Sequence, residues 1–184
     1  MEAALQPFVS YIAARRSGIS GVEVADGAAE DNDEISIILF EIGQTQFALP
    51  TMRVIEVVRV EEIVAIPRAP SFIEGVIEVR DAVLPVIDLR KKLGARAERH
   101  ALSTIIVAEV QRLKTGFIVD SAKKVITLAG DEMQNLGTAV TGQEARYIYR
   151  TINRDKTPIV ILNLDTLMNS HELESLAELE GGKA

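Results

Sequence analysis

Residues 66–94, IPRAPSFIEGVIEVRDAVLPVIDLRKKLG, contain two apolar runs joined by a charged corner. The runs, near 75–80 and 83–88, are short and rich in Val and Ile, which is typical of β-strands. The Arg80-Asp81 corner joins the two runs, so the stretch predicts a β-hairpin with a polar tip. Because a hydrophobic core does not need an arginine at such a tip, the corner is also a candidate functional site.

The same pattern extends on both sides of this hairpin. Eight further runs of five to eight residues are predicted as strands, near 35–42, 45–50, 53–60, 102–109, 114–119, 123–129, 147–153 and 157–163. The sequence therefore predicts a mainly β protein with ten strands.

The ten strands form two similar sets. An offset of 70 residues places Phe47 opposite Phe117, and an offset of 75 places Asp88 opposite Asn163. Coincidence among apolar strands is the alternative, but order and spacing recur together, which favours an internal repeat. Five short strands are best closed into a small barrel, which removes exposed edges. The prediction is two packed five-stranded barrels, the first over about 35–94 and the second over about 101–168.

Both ends of the chain lie outside this repeat. Residues 5–16 predict a short helix with an apolar side formed by Leu5, Phe8 and Ile12, and residues 17–34 predict an acidic linker. A short helix of this kind is marginal alone and must dock on this domain or on a partner. Residues 169–180 predict a C-terminal helix, with Asn169 as N-cap and Glu172 completing a capping box.

Composition argues against several functions. The net charge is −7, and residues 35–184 are nearly balanced, so no nucleic-acid footprint is expected. There is no cysteine and no spaced histidine pair to hold zinc, and no glycine-rich phosphate loop, so no cofactor, metal or catalytic residue is predicted. No apolar run is long enough to span a membrane. The basic cluster around Arg90 is predicted to be solvated.

What remains is an interaction surface. Alternation puts Val54, Glu56 and Val58 on one face of a strand, and the carboxylate suggests that this face is not the barrel core. It is either an ordinary solvent face or a mixed contact face, in which apolar area is combined with an orienting charge. Arg80 is either a binding residue or a local ion-pair partner of Glu78 or Asp81.

Several segments are similar to the CheW family of chemotaxis coupling proteins. They are Phe47–Pro50 with Val54–Val57, Ala69–Val76 through Arg80, Leu84–Leu89, Gly116–Asp120 and Leu167–Ser170. The resemblance covers about four-fifths of the chain, from residue 35 to about residue 179. It implies two side-by-side β-barrels and no catalysis.

The resemblance also implies partners and site residues. CheW-like proteins join the cytoplasmic tip of a methyl-accepting chemoreceptor to the regulatory domain of a CheA-type histidine kinase. Carried over by motif, Val54, Glu56 and Arg80 are the principal partner-binding residues, with Asp81 beside them and Val57 and Val58 as weaker candidates. A cytoplasmic adaptor recruited to receptor arrays at the membrane is expected.

Two departures from the family pattern leave alternatives open. Asp81 stands where the family has glycine, and if it holds Arg80 in a local pair, Asp81→Gly should strengthen receptor binding. The leader of 34 residues is the second departure. It suggests a scaffold for a related pilus, gliding or localisation pathway, with a dedicated partner bound by the leader. A small-molecule module using the groove between barrels is a third reading, which few aromatic residues support.

Overall fold

The computed structural model describes residues 34–67, 69, 71–95, 103–129, 132, 146–155, 157–169 and 171–174. All ten predicted strands are present within two residues of their predicted ends. They are β1 (Ile35–Ile42), β2 (Thr45–Pro50), β3 (Val54–Val60), β4 (Ile73–Val79), β5 (Ala82–Asp88), β6 (Ser103–Val110), β7 (Leu113–Val119), β8 (Ser121–Leu128), β9 (Ile148–Arg154) and β10 (Thr157–Leu162). The mainly β fold is confirmed.

The strands form two five-stranded sheets whose membership crosses the two halves of the chain. The first sheet has the order β8-β1-β2-β10-β9, and the second has the order β3-β6-β7-β5-β4. The predicted division into a unit at 35–94 and a unit at 101–168 is therefore wrong, because each sheet takes strands from both. Local sequence specified the strands, but the pairing depends on contacts between residues far apart in the chain.

The internal repeat itself is present in the pairing pattern. Each sheet contains the first two strands of one half and the last three strands of the other, in the same spatial order. Ala48 pairs with Ile161 in the first sheet as Gly116 pairs with Val86 in the second. This equivalence corrects the predicted register by two residues, since Phe117 corresponds to Leu49 and not to Phe47.

Apolar residues are buried on both faces of each sheet. One face carries a core shared by the sheets, in which Phe40, Phe47 and Phe117 are fully buried. The opposite faces carry separate clusters, around Ile37 and Ile159 in the first sheet and around four residues of the second sheet, Ile77, Leu84, Ile105 and Ile118. Continuous apolar runs such as residues 37–40 follow from this arrangement, because neighbouring side chains point to opposite faces and both faces are buried.

Two short helices follow equivalent strands and begin in the same way. Helix α1 (Leu89–Lys92) is capped by Asp88, whose Oδ1 accepts from the backbone N–H of Arg90 at 3.0 Å. Helix α2 (Leu164–Leu167) is capped by Asn163, whose Oδ1 accepts from the N–H of Asp165 at 3.0 Å. The predicted correspondence of Asp88 and Asn163 is thus confirmed, since both satisfy a first-turn N–H.

The beginning of the C-terminal helix is as predicted. Asn169 Oδ1 accepts from the N–H of Glu172 at 2.9 Å, and Glu172 Oε2 accepts from the N–H of Asn169 at 2.8 Å. These reciprocal bonds form a capping box, and residues 171–174 are helical. Leu173 packs against the shared core. The predicted helix over 5–16, the linker over 17–33 and the remainder of the C-terminal helix lie outside the described residues.

Candidate partner-binding surface

The charged corner is a tight two-residue turn between β4 and β5. Val79 pairs with Ala82, and the two intervening residues, Arg80 and Asp81, have φ values of 49° and 66°. Positive φ at both positions is the geometry of a type I′ hairpin turn, which favours Asn and Gly. The backbone of this turn therefore directs an arginine outward at the cost of some strain.

The corner makes an ion pair with a different strand. Arg80 Nη2 lies 3.3 Å from Glu56 Oε2 on β3, so neither of the predicted local partners, Glu78 and Asp81, holds it. The Arg80 side chain is 81% exposed and that of Glu56 is 22% exposed. Such an exposed pair contributes about 0–1 kcal/mol to stability, and most of the guanidinium stays accessible to another molecule.

Strand β3 presents its exposed face differently from the prediction. Val54, Glu56 and Val58 are half-buried, and both valines pack against core clusters. The exposed apolar residues are Ile55 and Val57, at 47% and 39%. The interpretation of the 54/56/58 face as lying away from the core was therefore wrong, because a charged side chain can sit at the rim of a buried face when an arginine pairs with it.

An additional exposed residue precedes β3. Met52 lies in a 3-10 turn over Thr51–Arg53 and is 88% exposed. Sequence reasoning missed both Met52 and Ile55. Period-two alternation signals Ile55, which flanks Glu56, but the sequence does not show which of the two faces is buried.

The segment that follows β3 is held close to β4. Val64 and Val76 exchange two backbone hydrogen bonds of 2.9 and 2.8 Å. Gly75 permits this approach, because a Cβ at that position would overlap the Val64 carbonyl oxygen. The Glu56–Arg80 pair thus joins β3 to the β4–β5 hairpin, and the bridge joins the segment after β3 to the same hairpin.

A buried charge cluster lies at the other end of β5. Arg90 Nε and Nη2 donate to the two carboxylate oxygens of Asp88 at 2.9 and 2.8 Å, and Nη1 lies 3.3 Å from Asp120 Oδ1. Arg90 is 5% exposed and Asp88 is 1% exposed, so the predicted solvated position of Arg90 was wrong. The hydrogen bond to Asp88 raises the pKa of Arg90, against the opposing effect of burial. Asp120 also accepts from the N–H of Gly43, which ties the cluster to the first sheet.

Neither a metal centre nor an apolar ligand pocket emerges in the described part of the chain. Among its residues, no group of three or more His, Asp or Glu side chains could hold a metal ion. A cleft of about 480 Å³ beside the buried cluster is lined mainly by charged residues, including Glu61, Glu62 and Glu74. No helix within the described ranges is long and apolar enough to cross a membrane.

The repeat places reversed charges at the equivalent site of the first sheet. Val54 and Val58 of β3 pair with two residues of β6, and Ala122 and Ile126 of β8 pair with the equivalent two residues of β1. Val54 therefore corresponds to Ala122, and Val58 corresponds to Ile126. Glu56 then corresponds to Lys124. Arg80 corresponds to Asp155, which also follows its strand with positive φ, at 51°. Lys124 and Asp155 line one cleft of about 420 Å³.

Comparisons with known proteins agree on the relationship. The model of the CheW-like domain matches residues 36–172. A probable chemotaxis protein CheW of Rhizobium etli is 32% identical, over 76% of this chain and 90% of that protein. Chemotaxis protein CheW of Treponema pallidum is 27% identical, over 82% of this chain and 92% of its own length.

A solved structure shows the same fold. The scaffolding protein TtCheW from Thermoanaerobacter tengcongensis superposes with a TM-score of 0.66 at 30% identity, covering 76% of this chain and 97% of that one. The family model spans most of the chain, and the relatives are matched over nearly their whole length. The chain therefore belongs to the CheW-like family of chemotaxis scaffold proteins.

Proposed function

We propose that this chain is a non-enzymatic adaptor that couples the cytoplasmic tip of a chemoreceptor to the regulatory domain of a CheA-type histidine kinase. The observation that carries the proposal is the Glu56–Arg80 pair, which stands at an exposed corner beside apolar residues in a chain of the CheW-like family. Named relatives are chemotaxis and scaffolding proteins, which supports an adaptor and not an enzyme.

The proposed surface combines two kinds of contact. Ile55 and Val57 offer apolar area on the exposed side of β3, and Arg80 offers a guanidinium that can bind a carboxylate in bidentate fashion. Glu56 restrains the arginine without burying it. A partner that brings a carboxylate can therefore compete for Arg80 at small cost, because the internal pair is exposed and weak.

The mechanism is geometric. Val54 and Val58 anchor β3 in the cores on either side of the half-buried Glu56, so the exposed groups between them have a fixed position. The tight turn at Arg80 and Asp81 fixes the other half of the surface. A bound receptor tip and a bound kinase domain are then held in a defined relative orientation, through which a change in receptor packing reaches the kinase.

Charge reversal tests the surface directly. Arg80→Glu should weaken binding of a receptor-tip fragment at least tenfold, as expected for an interface arginine. Lys124→Glu, which changes charge within the equivalent site of the other sheet, should not. Binding isotherms with purified fragments and full-length chain provide the measurement. The double variant Glu56→Arg with Arg80→Glu restores the internal ion pair.

The double variant separates a binding role from a structural one. If the two residues only stabilise the fold, the double variant should bind as the natural chain does. If they contact the partner, it should fold normally and still bind weakly. Unchanged binding in Arg80→Glu, or failure of both the kinase domain and the receptor tip to bind the natural chain, would refute the proposal.

The proposed location follows from the proposed partners. An adaptor that binds the cytoplasmic tip of a receptor acts in the cytoplasm, at receptor arrays beneath the membrane. Co-localisation of the tagged chain with a receptor of its own cell, lost in Arg80→Glu and kept in Lys124→Glu, is the expected result.

A further inference from the structure

The exposed side of β3 is the clearest unpartnered apolar surface among the described residues. Met52, Ile55 and Val57 are 88%, 47% and 39% exposed within six residues of chain, and we call these three the β3 patch. Arg59 continues the exposed side of the strand, and Glu61 and Glu62 follow it. The patch is thus an apolar stripe with charges at one end.

The leader joins the fold beside this patch. Thr51 Oγ1 donates to the backbone carbonyl of Ser36 at 3.1 Å, so the second residue of β1 contacts the residue before Met52. The family model begins at residue 36, which leaves the leader as a feature of this chain beyond the shared domain. Residues 17–34 can span up to about 60 Å, against roughly 20 Å along β3 from Thr51 to Val57.

The leader sequence complements the patch in both polarity and charge. Leu5, Phe8 and Ile12 form the predicted apolar side of residues 5–16, which has the length of about three helical turns. Arg15 and Arg16 follow the apolar side, as Glu61 and Glu62 follow the patch along the chain. An apolar stripe followed by two arginines therefore matches an apolar stripe that is followed, beyond Arg59, by two glutamates.

We propose that residues 5–16 dock on the β3 patch of their own chain and compete there with the partner of the adaptor. A tether of this length provides an effective concentration on the order of millimolar, so even a weak contact is substantially occupied. Only the regulatory consequence rests on the proposed function, because docking does not require a partner. A partner that binds the β3 patch must then displace residues 5–16.

Cysteine cross-linking in the full chain tests the docking, because the natural sequence has no cysteine. Ala13→Cys lies at the flank of the apolar side and leaves Leu5, Phe8 and Ile12 in place. It is combined either with Met52→Cys or with Val125→Cys. Val125 is a matched control, since it is 56% exposed and lies on β8 opposite Ile38, also near the start of β1.

A short bis-maleimide should cross-link the Met52 pair roughly tenfold faster than the Val125 pair. Charge alone favours the control, because Val125 follows Lys123 and Lys124 and the linker is acidic. Adding Phe8→Asp to the Met52 pair should reduce its rate to that of the control. Equal rates for the two pairs, insensitivity to Phe8→Asp, or cross-links mainly between two chains would each overturn the proposal.

A partner titration then tests the consequence separately. In the otherwise natural chain, Phe8→Asp should strengthen binding of the receptor-tip fragment several-fold, because the competing segment is removed from the patch. Unchanged binding by Phe8→Asp would overturn the competition. Absence of binding by the natural chain and by Phe8→Asp alike would refute the proposed function and leave the cross-linking result standing.

Discussion

Removing the buried arginine should be among the most destabilising single changes in this chain. Arg90 makes two hydrogen bonds to Asp88, at 2.9 and 2.8 Å, and an ion pair with Asp120 at 3.3 Å. Arg90→Met keeps much of the apolar stem but leaves the Asp88 carboxylate, 1% exposed, without its cation. Breaking a buried pair in this way costs about 3–5 kcal/mol, which lowers the melting temperature by roughly 10 °C in a chain of this size.

Among the described residues, the equivalent start of helix α2 is capped without a buried ion pair. At the equivalent position Asn163 caps helix α2 through Oδ1, and the residue two positions on is Asp165, so no arginine stands at the position equivalent to Arg90. Asp88→Asn combined with Arg90→Met copies the arrangement, keeps the helix cap and removes the unpaired charge. The double variant should therefore recover most of the stability that Arg90→Met loses.

Urea unfolding followed by circular dichroism provides the free energy of unfolding, with an unchanged m-value as the check that the native fold is kept. Since the pKa of Arg90 is raised, its charge is complete at any pH below the usual arginine value, and its contribution to stability is lost only above that range. The cost of Arg90→Met should accordingly be equal at pH 7 and pH 9. A loss below about 1 kcal/mol, or a double variant as unstable as the single one, would show that the buried Asp88–Arg90 pair does not stabilise the fold in this way.

Four further substitutions test particular backbone and side-chain sites by the same unfolding assay. Gly75→Ala should cost about 3 kcal/mol or more, because its Cβ overlaps the Val64 carbonyl oxygen, whereas Gly43→Ala, with open space around it, should cost about 1 kcal/mol. Thr115→Val should stabilise by about 1 kcal/mol, because within the described residues the fully buried Thr115 hydroxyl has no hydrogen-bond partner. Asp81→Gly should stabilise by at most about 1 kcal/mol and leave receptor-tip affinity unchanged, because positive φ suits glycine and no local pair with the preceding arginine exists to be broken.

The strands were predictable from the sequence, and their partners were not. Short Val- and Ile-rich runs indicate strands whatever they pair with, and the equivalence of Asp88 and Asn163 survived because both side chains cap a helix. Strand pairing is a property of distant contacts. Nothing in the local sequence of β3 indicates that it pairs with β6. Alternation along β3 likewise does not show which of its faces is buried.

The candidate site was predictable in part for the same reason. Arg80 was identified because a charged hairpin tip is unnecessary for folding, but its partner, Glu56, lies on another strand. The burial of Arg90 was missed because a run of basic residues usually indicates side chains that are exposed to solvent. The signal was the aspartate two residues earlier, which can cap the helix and bind the guanidinium at once.

The repeated backbone with reversed charges suggests how one fold can serve two partners. Equivalent strands, bulges and hairpin turns give both sheets the same shape at this position. The proposed surface carries Glu56 and Arg80, whereas the equivalent place in the first sheet carries Lys124 and Asp155. A partner whose charges complement one site meets like charges at the other, and such contacts cost affinity. The two sheets can therefore share a backbone shape while selecting different proteins, as the proposed adaptor function requires.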